Sequence, residues 1–116
     1  LYVYLSYGIH RCANVVTGTE GSGSAVLIRA LVPVEGTATM RRRRGARAER
    51  ELANGPGKVC QALGIELDDD GVDVTRPDGE IRLLDDGTPP PTRPLVGPRV
   101  GITKGVDRPW RFRSSE

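Results

Sequence analysis

The first 33 residues constrain the fold most: three apolar runs follow one another closely, each closed by turn-forming residues, and Pro33 stops the last. In the first run Leu1, Val3 and Leu5 alternate with Tyr2, Tyr4 and Ser6, the period-two pattern of a strand with one buried face. Gly8 punctuates, and Cys12-Ala13-Asn14-Val15-Val16 resumes the strand pattern. A short connection near Tyr7 to Arg11 is therefore expected to join an antiparallel pair. Thr17 to Gly23 is rich in Gly, Ser and Thr and reads as a second turn. Ser24 to Val32, apolar except for Arg29, reads as a third strand, and Pro33 ends it because proline cannot donate to a ladder. The expectation is an antiparallel meander.

Beyond Pro33 the pattern changes. A helix is expected from about Thr37 to Glu51, interrupted or kinked near Gly45, with a polar face crowded by arginines, Arg41 to Arg44 among them. Asn54-Gly55-Pro56-Gly57 looks like a second helix start. Asn54 or Gly55 can cap it, and Pro56 fits a first turn, where its missing N–H is not needed. Lys58 to Leu63 forms the body and Gly64 the C-terminal cap. Residues 66–79 are acidic and loop-like, Glu80 to Leu84 suggests a short strand, and the proline-rich 85–98 an irregular connection. Arg99 to Thr103 suggests a last strand, and Pro109-Trp110-Arg111-Phe112-Arg113 alternates aromatic and basic residues. The fold class is α/β of the α+β type: a single domain with a curved, mostly antiparallel sheet and packed helices. The chain opens directly on strand residues, as part of a longer domain would.

Charge is unevenly distributed. Residues 1–58 hold nine Lys/Arg against four Asp/Glu, residues 59–86 two against nine, and residues 87–116 six against two. Two basic segments thus flank an acidic one, which permits an anionic partner on one face without requiring it. Fifteen of the 17 basic residues are Arg, which suits bidentate phosphate contacts but is also what a GC-rich genome encodes. Cys12 and Cys60 show neither metal spacing nor a disulfide framework, so buried reduced thiols are expected. No apolar run reaches the length of a membrane span.

From residue types alone no catalytic constellation emerges. There is one histidine, His10, and the carboxylates gather in the acidic stretch, where charge is usually solvated. Three of the five aromatic residues lie within the first seven positions, with Tyr7-Gly8-Ile9 at the expected turn and Arg11 beside it. An aromatic at a hairpin tip next to cations could enter a groove or stack on bases. Strand tyrosines packing on a small sheet would look the same.

Residues 1–14, Leu1-Tyr2-Val3-Tyr4-Leu5-Ser6-Tyr7-Gly8-Ile9-His10-Arg11-Cys12-Ala13-Asn14, resemble the hairpin of the alkyladenine (3-methyladenine) DNA glycosylase family, with its aromatic-rich strand, Tyr-Gly turn and following Asn. Val26 to Gly36 is similar to that family's next strand, with Leu-Arg-Ala and Pro-x-Glu-Gly, and Met40-Arg41 continues it. Gly55-Pro56-Gly57-Lys58-Val59-Cys60-Gln61-Ala62-Leu63 resembles its Gly-Pro-x-Lys-Leu-x-Gln-Ala-Leu block, and Arg99 to Ile102 with Pro109 to Phe112 its C-terminal strands. The blocks occur in family order along nearly the whole chain.

The resemblance implies a base-excision-repair enzyme that flips alkylated or deaminated purines from duplex DNA and hydrolyses the N-glycosidic bond. Tyr7 matches the wedge that fills the gap left by the flipped nucleotide, on a protruding hairpin that also places Ile9 and His10 against DNA. Tyr4 matches an aromatic that stacks on the flipped base, and Asn14 a pocket residue that helps exclude undamaged purines. Arg29 matches the residue that holds the attacking water near the target phosphate. Val100 would offer that water its backbone carbonyl, and Lys58 matches a phosphate contact. The family's water-activating Glu belongs to a segment upstream of the hairpin, so residues 1–116 correspond to a partial purine DNA glycosylase domain, inactive by itself. His10 and Arg11 depart from the common choices at their positions. The resemblance implies no metal and no organic cofactor, damaged double-stranded DNA as partner, no membrane, a monomer, and a bacterial cytoplasmic location on the nucleoid. The alternatives are a non-catalytic nucleic-acid-binding module and an inactive truncated fragment.

Overall fold

The computed structural model describes residues 1–21, 23–45, 48–99 and 108–113. It combines antiparallel sheets with two α-helices, and its contacts fall into two units, Leu1–Leu83 and Leu84–Glu116.

In the first unit, β1 (Tyr2–Ser6), β2 (His10–Thr17) and β3 (Ser24–Leu27) form the expected meander in the order β1-β2-β3. The register pairs Tyr2 with Asn14, Val3 with Ala13 and Tyr4 with Cys12. Directly opposed residues share a face, so Tyr2, Tyr4, Cys12 and Asn14 line one face while Val3 and Ala13 line the other. Val3 and Ala13 pack with Cys60 and Ile65, and Leu1 and Ile81 close the edge of that cluster. Ala53, Val59 and Ala62 form a second cluster, with Ile28 and Met40 against it.

Two helices supply these contacts. In α1 (Thr37–Arg44) the left-handed Gly36 and Gly45 bracket the helix. The expected helix to Glu51 therefore stops at Arg44. Gly45, at φ 78°, turns the chain out instead of kinking it, and Glu49–Glu51 is a separate 3-10 turn. Helix α2 (Pro56–Leu63) begins as expected, with extended Gly55 as N-cap and Pro56 in the first turn. It ends on Gly64 at φ 70°, whose N–H donates to the carbonyls of Cys60 and Gln61.

Two further expectations are corrected. The third strand ends at Leu27, not Val32. After Ile28 donates to Ala13 O at 3.0 Å, the chain leaves β2, and Leu31 donates to Ala53 O at 2.9 Å instead. Its apolar run serves the packing around Ala53, and leaves Val32 and Val34 each 86% exposed. Residues 80–84 form no strand. Ile81 packs on the core and Leu83 donates to Val74 O at 2.9 Å, so the segment is held by single contacts without a ladder. Of the arginine run, Arg41, Arg42 and Arg43 are exposed and Arg44 is buried. Arg43 Nη1 donates to Ala62 O at 2.9 Å, and Arg44 is buried with bonds to Leu52 O, Glu51 O and Gln61 Oε1. Consecutive helix residues point about 100° apart, so one run can serve both solvent and neighbour.

The acidic segment is also more than a solvated loop. Around the 3-10 turn Leu67–Asp69, Glu66 and Asp69 form a reciprocal capping box. Asp70 Oδ1 accepts the Val3 N–H at 2.9 Å, and Gly71 N–H donates to Leu1 O at 2.8 Å. This strap satisfies backbone groups along the outer edge of β1, which would otherwise stay open to pairing.

In the second unit, β4 (Leu95–Gly97) pairs antiparallel with β5 (Arg111–Arg113). This corrects the expected irregular connection over 85–98: a ladder forms at Leu95–Gly97, in the gap between Pro94 and Pro98, which cannot donate to it. Arg99 itself is outside the strand, and residues 100–103 lie outside the described residues. Arg99 and Arg108 both approach the Trp110 ring, at 5.4 and 4.7 Å from its centroid.

Candidate nucleic-acid interface

The β1–β2 connection is built to hold Tyr7 outward. Tyr7 has φ 53° and Gly8 φ 70°, and Ile9 N–H donates to Ser6 O at 3.1 Å. Successive left-handed residues mark the primed turns that match the twist of a hairpin. Glycine adopts that geometry freely, whereas a tyrosine pays roughly 1–2 kcal/mol for it. The Tyr7 side is thus a strained turn carrying a large ring that is 81% exposed, and Ile9 beside it is exposed too. A solvent-facing aromatic on such a turn buries little of its ring in the fold.

Behind the tip, Ser6 and His10 form the last rung of the ladder. His10 lies on the first turn of α2: a Cβ built on Gly57 would sit 3.2 Å from His10 Cβ and 3.2 Å from Nδ1. The next residue, Lys58, folds back over Gly55 and donates from Nζ to Asn54 Oδ1 at 3.0 Å. That acceptor is a neutral amide, so the bond orients the ammonium without cancelling its charge. Lys58 is exposed, beside helix N–H groups that have no side-chain cap. Such a turn favours an anion.

The face of the sheet opposite α2 carries the remaining hairpin residues. The Tyr2 and Tyr4 rings are 5.4 Å apart and tilted by 31°. Asn14 is 8% exposed and donates from Nδ2 to Tyr2 O at 3.3 Å, which fixes its amide in the ladder. Burial, then the adjacent Cys12 thiol, raises the Tyr4 hydroxyl above its ordinary value, with Tyr2 adding and Arg29 opposing. Tyr4 is therefore a neutral O–H at physiological pH. The opposing effect of Arg29 places its charge near Tyr4, and Arg29 is half-buried. Tyr4 and Asn14 thus share one face of the sheet, and Arg29, 15 residues beyond Asn14 in the chain, comes near enough for its charge to act on the Tyr4 hydroxyl.

Two surface hollows occur elsewhere, one lined by Leu31, Val32, Pro33, Glu49 and Arg50, the other by residues 71–73, 76 and 78–80; neither includes Tyr4, Asn14 or Arg29. Val100 lies outside the described residues. Among the described residues no group of three His, Cys, Asp or Glu is placed to hold a metal ion. No helix there is long and apolar enough to cross a membrane. Sequence reasoning passed over Gly57, whose signal is a glycine inside a helix start already supplied with proline, where a close backbone approach is the physical reason for lacking a side chain.

The family model described as "Methylpurine-DNA glycosylase (MPG)" matches residues 1–116. A protein of Rhodopseudomonas palustris is 53% identical over 111 residues, covering 96% of this chain and 52% of its own length. Others from Methanoculleus marisnigri and Rubrobacter xylanophilus are 50% and 49% identical, covering 96% of this chain and 58% and 56% of their own lengths. All three carry the name "Putative 3-methyladenine DNA glycosylase". The chain spans about half the length of the curated relatives it matches. With a family model matched from its first residue to its last, the chain belongs to the methylpurine-DNA glycosylase family.

Proposed function

We propose that the full-length protein is a monofunctional DNA glycosylase of base excision repair, acting on alkylated or deaminated purines in duplex DNA. The observation that carries this reading is the exposed Tyr7 ring on its strained turn, within a family named for glycosylase activity. In a duplex, that ring would take the place of a purine rotated out of the stack and offset a few kcal/mol of lost stacking. Ile9 and His10 would widen the contact along the groove, and Lys58 would hold a backbone phosphate.

The rotated purine would lie against Tyr4, whose neutral hydroxyl and ring offer stacking without charge. Asn14 would contribute discrimination: with its amide fixed on Tyr2 O, a base edge that mismatches its remaining polar atoms gains nothing to offset desolvation. Arg29 and the Val100 carbonyl would orient a water near the target phosphate. That water attacks C1′, the C1′–N9 bond breaks with its electron pair leaving on the purine, and the water's proton passes to a general base. The resemblance assigns that base to a Glu outside these residues. The products are a free purine and an abasic site, with no enzyme amine in covalent linkage, so neither Lys58 nor Lys104 has a catalytic role. No cofactor takes part, and the enzyme acts as a monomer on DNA in the bacterial cytoplasm.

Single-turnover assays of the full-length protein on duplexes containing ethenoadenine or hypoxanthine test the reading. Release of the free base, leaving an alkali-labile site, is the expected result. Tight binding of the same duplexes with no base released would instead favour a non-catalytic DNA-binding module.

A further inference from the structure

The strand that leaves the Tyr7 turn meets the first turn of α2 where His10 lies against Gly57. Two of the three atoms nearest a Cβ on Gly57 are His10 Cβ and Cγ, at 3.2 and 3.4 Å, with Nδ1 at 3.2 Å. The Cβ belongs to the root of the side chain, so rotating the imidazole cannot clear it, and an added methyl asks the β2 backbone at His10 to give by a few tenths of an ångström. Ser6–His10 is the final rung before the turn, and the Ile9–Ser6 bond closes it. A shift at His10 is therefore passed to Tyr7 through one rung and one hydrogen bond. On the other side, Gly57 is bonded directly to Lys58, whose ammonium is set by Asn54.

We propose that Gly57 is a positioning residue. By lacking a side chain it lets His10 lie on α2 and so fixes the tilt of the Tyr7 turn relative to Lys58. This inference rests on the wedge reading of Tyr7, and adds to it that wedge and phosphate contact are set by one backbone approach. Two DNA contacts made by one rigid unit must keep their spacing to act on the same duplex. A displacement on the order of 1 Å can cost up to about 100-fold in a process that depends on alignment, so the few tenths of an ångström asked of His10 should cost several-fold.

The test is a double-mutant cycle in the full-length protein, using Gly57→Ala, His10→Gly and the pair. Ethenoadenine emission reports flipping, an undamaged duplex reports general DNA affinity, and melting reports the fold. Gly57→Ala is expected to lower the flipped fraction by about threefold or more, with undamaged-duplex affinity within about twofold and the melting transition retained. His10→Gly removes all three crowding atoms. It costs some flipping by itself, but in its presence Gly57→Ala should cause no further loss, a coupling that independent sites do not show. Equal losses from Gly57→Ala in both backgrounds overturn the inference. So does parental flipping in Gly57→Ala, or a lowered melting temperature with flipping intact in the folded fraction. Tyr7→Ala, measured in parallel, separates the layers. If it flips like the parent, the wedge reading falls and the inference with it. If it loses flipping while Gly57→Ala does not, only the inference falls.

Discussion

Arg44 Nη1 meets the side-chain oxygen of Gln61 at 2.8 Å, joining the last turn of α1 to the middle of α2. The same guanidinium donates to the carbonyls of Glu51 and Leu52, so one side chain gathers three separate segments. Those carbonyls are left by the chain reversal between the helices, and no ladder serves them. Hydrogen bonds from a charged group contribute about 1.5–3 kcal/mol each where their loss strands a buried partner. Because these bonds share one guanidinium, their losses do not add in full. Arg44→Ala is expected to destabilise the fold by about 3 kcal/mol, measured by urea unfolding. Arg41→Ala, on the exposed side of the same helix, should stay within about 0.5 kcal/mol. Equal effects at the two positions would contradict the clamp.

Tyr7→Ala should show the opposite balance. The ring is exposed and its left-handed backbone is strained, so stability should change by less than about 0.5 kcal/mol. Flipping of ethenoadenine opposite thymine, followed by its emission, should fall sharply because nothing replaces the lost stacking. A large drop in melting temperature, with flipping intact in the folded fraction, would return Tyr7 to an ordinary packing role.

Arg29→Ala should separate binding from chemistry. If Arg29 holds the attacking water, single-turnover excision by the full-length protein should drop by about 100-fold while lesion affinity changes little. Parental binding together with parental cleavage would leave Arg29 a structural residue of the Tyr4 face.

The buried thiol of Cys60 gives a pH prediction. Burial first, then the nearby Cys12, pushes it up to about 11, above the ordinary value of about 8.5. The folded state therefore favours the neutral thiol. That contribution is fully present below about pH 8.5 and is lost as pH rises through about 11. Melting temperature should fall more steeply over that window in the parent than in Cys60→Ala, since other titrations are common to both. At neutral pH Cys60 should react with thiol reagents only on unfolding. Rapid labelling of native protein would show that the thiol is accessible.

The 116 residues alone should release no measurable ethenoadenine or hypoxanthine, because the general base assigned by resemblance lies outside them. General-base loss costs about two to four orders of magnitude. Robust release by the isolated chain would place the water-activating group within these residues.

Some of this architecture was legible from local sequence. Alternation at Leu1 to Ser6 selects which residues face α2, because successive strand side chains point to opposite faces. Gly55, Pro56 and Gly64 delimit α2 through constraints acting within a few residues. The Tyr7-Gly8 turn belongs to the same class, since φ preference is a property of the residue. The order of hairpin, strand and Gly-Pro-Gly-Lys blocks then sufficed to indicate the family. The third strand was overextended because Ser24 to Val32 has the composition of a strand throughout, and only the Leu31–Ala53 bond decides where it leaves β2.

The sequence by itself determined the meander, the two helix starts and the turn at Tyr7-Gly8, all encoded in the period, caps and turn residues of short segments, while the outward direction of the Tyr7 ring is a finding of the structure. Only the tertiary structure decided that Arg43 and Arg44 bind α2 while Arg42 donates to Thr39 of its own helix, and that Asp70 covers the edge of β1. It alone placed Arg29 near Tyr4 and laid His10 on Gly57. Each of these depends on a partner many residues away. An arginine, a carboxylate or a glycine carries no local mark of which distant backbone will come within reach, so its role is fixed only when the sheet and helices pack.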